Sequence, residues 1–134
     1  MTVAICLDRK DGMLFNGRRQ SRDKELIADL VGFAGEKKVF ISAYSEKLFL
    51  EYGENIRVSD SFLDEAAAGD VCFAEKEDLT PYLPKISRLI VYRWNKIYPA
   101  DLRFDLSATG LKHLETTVFE GNSHDNIERE VYVR

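Results

Sequence analysis

Between Asp70 and Phe104 the chain reads DVCFAEKEDLTPYLPKISRLIVYRWNKIYPADLRF. An apolar run (residues 71–74) leads into a short helical stretch (77–83), interrupted by Pro81 and ended by Pro84, and then into a strong apolar strand (88–94). Continuously apolar runs of this length suit strands covered on both faces, which a mainly parallel sheet between layers of helix provides. Residues 3–7 (VAICL) form another such run, and residues 38–42 (KVFIS) and 56–58 two shorter ones.

Helical stretches fall between these strands. Leu26, Ile27, Leu30 and Val31 have helical spacing within residues 23–33. Asp23 and Glu25 stand in its first turn, where carboxylates suit the helix dipole, and Gly32 and Gly35 bracket its end. A second short helix is expected at 45–52, with Leu48 and Phe49 inward. A third, at 61–68, would be capped by Ser59 or Asp60 and stopped by Gly69. Residues 13–22 read as a loop with a tight turn at Asn16-Gly17. The last two strands, 111–119 and 127–133, alternate apolar and polar residues, the pattern of an antiparallel pair with one wet face. Strands alternating with short helices and closed by a hairpin give an α/β three-layer fold, read as one domain over residues 1–134.

A length of 134 residues allows one real core. The net charge of −4 gives no general attraction to nucleic acid or anionic membrane, and no apolar run reaches the roughly 20 residues of a membrane span. The stretch MTVAICLDRK lacks the basic start of a signal peptide. Cys6 and Cys72 lie in apolar strands without CxxC spacing, so buried, reduced thiols in neighbouring central strands and a cytoplasmic setting are expected. His113 and His124 have no metal-ligand spacing around them and read as structural or surface residues. Tyr92 and Trp94, ending a strand, read either as core or as a platform for a flat ligand. Arg18, Arg19 and Arg22, beside Lys24, read either as a solvated charged loop or as a site for a phosphate or carboxylate. Exposed aromatics on the closing strands would support a homodimer.

Taken in order, these elements resemble dihydrofolate reductase and its relatives, including the reductase domain of riboflavin biosynthesis. LPKISRL (83–89) is similar to the segment entering that family's central strand. ADLRFD (100–105) resembles its Gly-Asp-Thr-x-Phe-Pro turn, with Asp101 as a backbone acceptor. ICLDRKDGMLFNG (5–17) resembles its first strand and loop, and HLETTVFEGNSHDNIEREVYVR (113–134) its last hairpin. The resemblance implies a dihydrofolate reductase-like fold, with a mainly parallel central sheet and an antiparallel C-terminal hairpin.

The positions that would hold NADPH depart from the family. Its glycine pair after the VCFA-like strand, where backbone N–H groups hold the cofactor diphosphate, reads Glu75-Lys76. Its Gly-Arg-Lys-Thr reads Ala43-Tyr44-Ser45-Glu46, and its third phosphate site reads Ser59-Asp60, leaving Ser59 and Lys76 as cofactor-binding candidates. Its Leu-Pro-Trp reads Arg19-Gln20-Ser21. The helix carboxylate that would grip a pteridine ring falls on Leu26. Glu25, one residue and about 100° away, is the catalytic candidate.

The leading expectation is a divergent protein of this fold without conventional NADPH-dependent reductase activity. It would bind a small anionic or flat ligand in the equivalent cleft, with no cofactor. One alternative is an NADPH-dependent oxidoreductase acting on a pterin- or pyrimidine-type substrate through altered cofactor contacts. The other is a nucleic-acid-binding or processing protein using RRQSRDK (18–24), against which the acidic charge speaks.

Overall fold

The computed structural model describes residues 1–15, 18–19, 23–94, 102–122 and 126–134, with the backbone alone at 14, 15, 18 and 19. Its centre is β1 (Thr2–Leu7), all six residues of which are buried. On one side β1 runs parallel to β6 (Val71–Phe73), pairing Val3 with Cys72. On the other it runs parallel to β7 (Arg88–Trp94), pairing Val3 with Leu89. Beyond β6 come β4 (Val39–Ile41) and then β5 (Ile56–Val58), both parallel. Beyond β7 the direction reverses through β10 (Ile127–Val133) and β9 (Lys112–Phe119). The seven-stranded order is β5-β4-β6-β1-β7-β10-β9. A small second sheet, β3-β2-β8, joins β2 (Gly12–Phe15) to β3 (Arg18–Arg19) and β8 (Leu102–Arg103).

Each face of the large sheet has its own core. Helix α1 (Lys24–Ala34) lays Leu26, Ile27, Leu30 and Ala34 over one face, against Ala4, Cys6, Ile90 and Tyr92. A run of 3-10 turns from Ala43 to Asn55 covers the same face through Phe49, whose ring meets Phe73 edge-on at 5.5 Å. The other face packs Val3, Ile5, Leu7, Cys72 and Val91 under the single-turn helix α2 (Phe62–Glu65) and beside Leu79 and Ile86, which flank a second 3-10 helix, Thr80–Lys85. Apolar burial of this kind contributes roughly 25 cal/mol per Å² removed from water.

Several expectations needed correcting. The loop expected at residues 13–22 contains β2, whose pairing with β8 comes from distant residues. The helix expected at 61–68 shrinks to α2, and Asp60 does not cap it. Nor does Ser59: the N-cap is Ser61, with no side-chain capping bond, while the Asp60 carboxylate accepts the N–H of Ala43 at 3.0 Å and Ser59 Oγ accepts the N–H of Ser61, just outside the helix. The Ala43–Asn55 run is not an α-helix, because Phe49 (φ −111°, ψ 17°) and Tyr52 (φ −122°, ψ 31°) leave helical geometry. Tyr92 is core, fully buried beneath α1, and Trp94 is buried as well. Neither aromatic of the closing strands is exposed. Phe119 and Tyr132 are half-buried, and the exposed large residues there are Leu114 and Val118. His113 lies in β9 with Nε2 2.6 Å from Thr116 Oγ1 and its ring against Tyr132. Asp101, His124 and the Asn16-Gly17 turn lie outside the described residues.

The two cysteines lie in adjacent strands, as expected, buried and outside any disulfide, one in each core. Burial, aided by the Asp70 charge, pushes the Cys72 thiol from 9.0 up to about 12. In the unfolded chain this thiol ionises from pH 9, while the folded protein still holds the proton. The folded state therefore loses stability as pH rises from 9 toward 12, by about 1.4 kcal/mol per unit. The Tyr92 hydroxyl, raised by burial and by the Asp29 charge, adds to the loss above pH 10. Urea midpoints should fall steadily across this range, and Cys72→Val should flatten the decline; a pH-independent midpoint contradicts it.

Candidate functional site

The parallel strands β4, β5 and β6 end on one edge of the sheet, and their loops bring the residues after each strand together. After β6, Glu75 is buried, 5% exposed, and its Oε1 accepts a hydrogen bond from Ser45 Oγ at 2.7 Å. The N–H groups of Glu75 and Lys76 both donate to Glu77 Oε1, at 3.2 and 3.3 Å. After β4, the N–H of Ala43 donates to Asp60, as above. After β5, Ser59 Oγ donates to Glu65 Oε2. The Lys76 ammonium sits 5.2 Å over the Tyr44 ring. The donors at Ala43, Ser45, Ser59, Glu75 and Lys76 thus meet carboxylates of the chain itself, and the Lys76 ammonium a ring, while Ser42 Oγ is buried without a hydrogen-bond partner among the described residues. Between Ala43 and Asp78 ten side chains are carboxylates, and three (Lys47, Arg57 and Lys76) are cations.

The same 3-10 run forms one wall of a cleft of about 520 Å³, whose other wall is the first half of α1. Ile27, Ala28, Leu48 and Leu50 give it apolar surface, and Tyr52 an aromatic edge. Lys24, Glu25, Lys47 and Glu51 supply charge of both signs. At its mouth Asp23 is buried, and one carboxylate oxygen accepts N–H bonds from Glu25 at 2.9 Å, Leu26 at 3.3 Å and Asn122 at 3.1 Å. Asn122 in turn accepts the N–H of Lys24 through Oδ1. The β9–β10 loop is thus locked onto the start of α1, each such bond being worth about 1 kcal/mol net.

Of the sequence-derived candidates, Glu25 is exposed and lines this cleft, whereas Leu26 is fully buried in the core beneath it. Ser59 and Lys76 stand on the strand-end edge, each turned to its own neighbour. Arg18 and Arg19 have described backbone in β3, while their side chains, and all of Arg22, lie outside the described residues. Sequence reading missed Glu77 as a partner for two backbone amides. A carboxylate two residues beyond the VCFA strand end, able to fold back on the main chain, was the available signal. It also missed the Ser45–Glu75 bond, which has no local signature across 30 positions. Among the described residues no group of three or more His, Cys, Asp or Glu could hold a metal ion, and no helix is long and apolar enough to cross a membrane.

A mainly parallel seven-stranded sheet covered on both faces, closed by an antiparallel pair and flanked by a helix-walled cleft, defines a dihydrofolate reductase-like α/β fold. Among solved structures, dihydrofolate reductase from Enterococcus faecalis, complexed with NADP(H) and RAB-propyl, superposes with a TM-score of 0.64. That match covers 100% of this chain and 96% of the enzyme at 14% identity, a likeness of fold. No protein-family model and no curated protein matches the chain.

Proposed function

We propose that this chain is a dihydrofolate reductase-like protein that works without a nicotinamide dinucleotide and binds a small, flat or anionic molecule in the cleft between α1 and the Ala43–Asn55 run. One observation carries the first half. The backbone amides that the resemblance assigns to cofactor phosphates already donate to this chain's own carboxylates, Glu77 and Asp60. A diphosphate would have to displace both carboxylates and accept the buried Glu75 beside it. Two unit negative charges about 5 Å apart cost about 3 kcal/mol at the effective dielectric of a protein surface. The residues present do not fit a dinucleotide diphosphate. The second half rests on the cleft's composition, with aliphatic walls for a flat body and Lys24 and Lys47 for an anionic group.

The test is a melting titration with NADPH, NADP and NADH, because only a ligand of the folded state raises its stability. No change in Tm is expected at millimolar concentration. A rise of several degrees with NADPH would overturn the proposal and restore the oxidoreductase alternative, with Lys76 as the cation nearest the phosphates. Folates and flavin precursors, run in parallel, report on the cleft. A shift with these that Glu25→Gln or Lys47→Ala removes assigns the ligand to the cleft between α1 and the 3-10 wall.

A further inference from the structure

The large sheet ends unequally. At one edge β5 is three residues long, too short to pair usefully with another chain. At the other, β9 is eight residues long and contains no proline; seven of its residues are exposed and Phe119 is half-buried. Leu114 and Val118 are 60% and 58% exposed. Long, uncovered edges present a row of unpaired backbone groups, and proteins normally blunt them. Here the one irregularity is a bulge where the register against β10 shifts, so that Glu115 faces Val131 and His113 faces Tyr132. The extra residue is Leu114. It places His113 and Thr116, three apart, on one face, as their 2.6 Å contact requires. From Glu115 to Phe119 the ladder is regular.

We propose that β9 is the homodimer interface, pairing antiparallel with β9 of a second copy across a two-fold axis at Thr117, so that one sheet runs through both protomers. The regular stretch from Glu115 to Phe119 is centred on Thr117. With the axis there, Thr116 faces Val118 twice, a contact of two β-branched side chains suited to a strand pair. Glu115 and the neighbouring Leu114 face Phe119, which gives Phe119 an apolar partner. His113 then meets Glu120, a donor against a carboxylate, once on each side of the axis. Moving the axis to Glu115 would set two like charges face to face, which disfavours that register. Moving it to Thr116 would put Lys112 against Phe119 and leave Glu120 without a partner of opposite charge. Thr117 is therefore the self-complementary choice for an isologous interface. Pairing along one edge makes a small interface, so the dimer is a weak one that forms reversibly.

Sedimentation equilibrium of the whole chain tests this directly. A monomer–dimer equilibrium in the micromolar range is expected, and Val118→Lys, at an exposed position, should leave a monomer with an unchanged Tm. Thr117→Cys places a thiol on the axis and should cross-link two chains under mild oxidation, since Cys6 and Cys72 are buried. Glu115→Cys, which faces Phe119 in this register, should not cross-link. A wild-type protein that stays monomeric up to about 1 mM overturns the proposal. So does a dimer indifferent to Val118→Lys, or equal cross-linking from both cysteine variants.

Discussion

Arg129→Ala should lower the stability of the fold by about 3 kcal/mol. Arg129, on β10, donates through Nη1 to both carboxylate oxygens of Asp29, at 2.8 and 2.9 Å, while the Tyr92 hydroxyl donates to the same carboxylate at 2.7 Å. Its guanidinium also lies 5.1 Å from the centre of the Phe33 ring. The side chains of Arg129 and Asp29 are 17% and 21% exposed. Removing the cation leaves the anion mostly out of water with one neutral donor, and removing one partner of a buried pair costs about 3–5 kcal/mol. The residual exposure of both groups puts this pair at the lower end. Asp29, Tyr92 and Arg129 come from α1, β7 and β10, so the loss loosens the helix layer from the antiparallel end of the sheet. Tyr92→Phe removes a single hydrogen bond and should cost about 1 kcal/mol. Equal urea midpoints for wild type and Arg129→Ala would show instead that water replaces the arginine at no cost.

Phe49→Ala should cost about 3–5 kcal/mol, the range for emptying a fully buried aromatic position. Phe49 is 0% exposed and packs edge-on against Phe73. It also sits where the Ala43–Asn55 run leaves helical geometry, and it is the one fully buried apolar side chain of a run whose polar anchors, Ala43 to Asp60 and Ser45 to Glu75, lie at its start. Short 3-10 turns hold poorly by their own hydrogen bonds and depend on what they bury. The variant should therefore lose the wall of the cleft as well as global stability. Proteolysis at the 51–55 stretch, at a temperature where the rest of the fold persists, would show this. A variant that melts within 1 °C of wild type would mean that the segment is held from elsewhere.

The sequence carried the sheet better than its edges. The strands at 88–94 and 127–133 have the bounds that the apolar patterns predict, and α1 begins beside the capping Asp23, because burial on one or both faces writes a period into the residues themselves. The Ala43–Asn55 run carries no such period, since its backbone changes geometry twice within 13 residues. β2 was hidden because its partners are chosen by tertiary pairing with β8 and not by local propensity. At the candidate site, the presence of Glu75 and Lys76 where the resemblance would set a glycine pair was legible, but its consequence was not. Glu75 finds Ser45, and Glu77 and Asp60 take the backbone amides, through pairings that only the folded chain brings within reach.

The position of β1 governs how quickly this chain can fold. Thr2 pairs with Val71 on one side and with Arg88 on the other, so both ladders of the central strand close very long loops. Loops of this kind place folding in the slower range for mixed α/β domains, because chain entropy is lost before contacts repay it. During synthesis at about 5–20 residues per second, β1 emerges roughly 5 to 20 seconds before both partners exist. Through that interval TVAICL is an apolar, β-prone segment with two open edges, the kind that associates with itself. The charged turn that follows it, residues 8–11 with Asp8, Arg9, Lys10 and Asp11, thereby gains a second role. In the folded protein it ends the strand, and in an unfolded chain it sets charge directly beside the apolar run, the arrangement that opposes self-association of such segments.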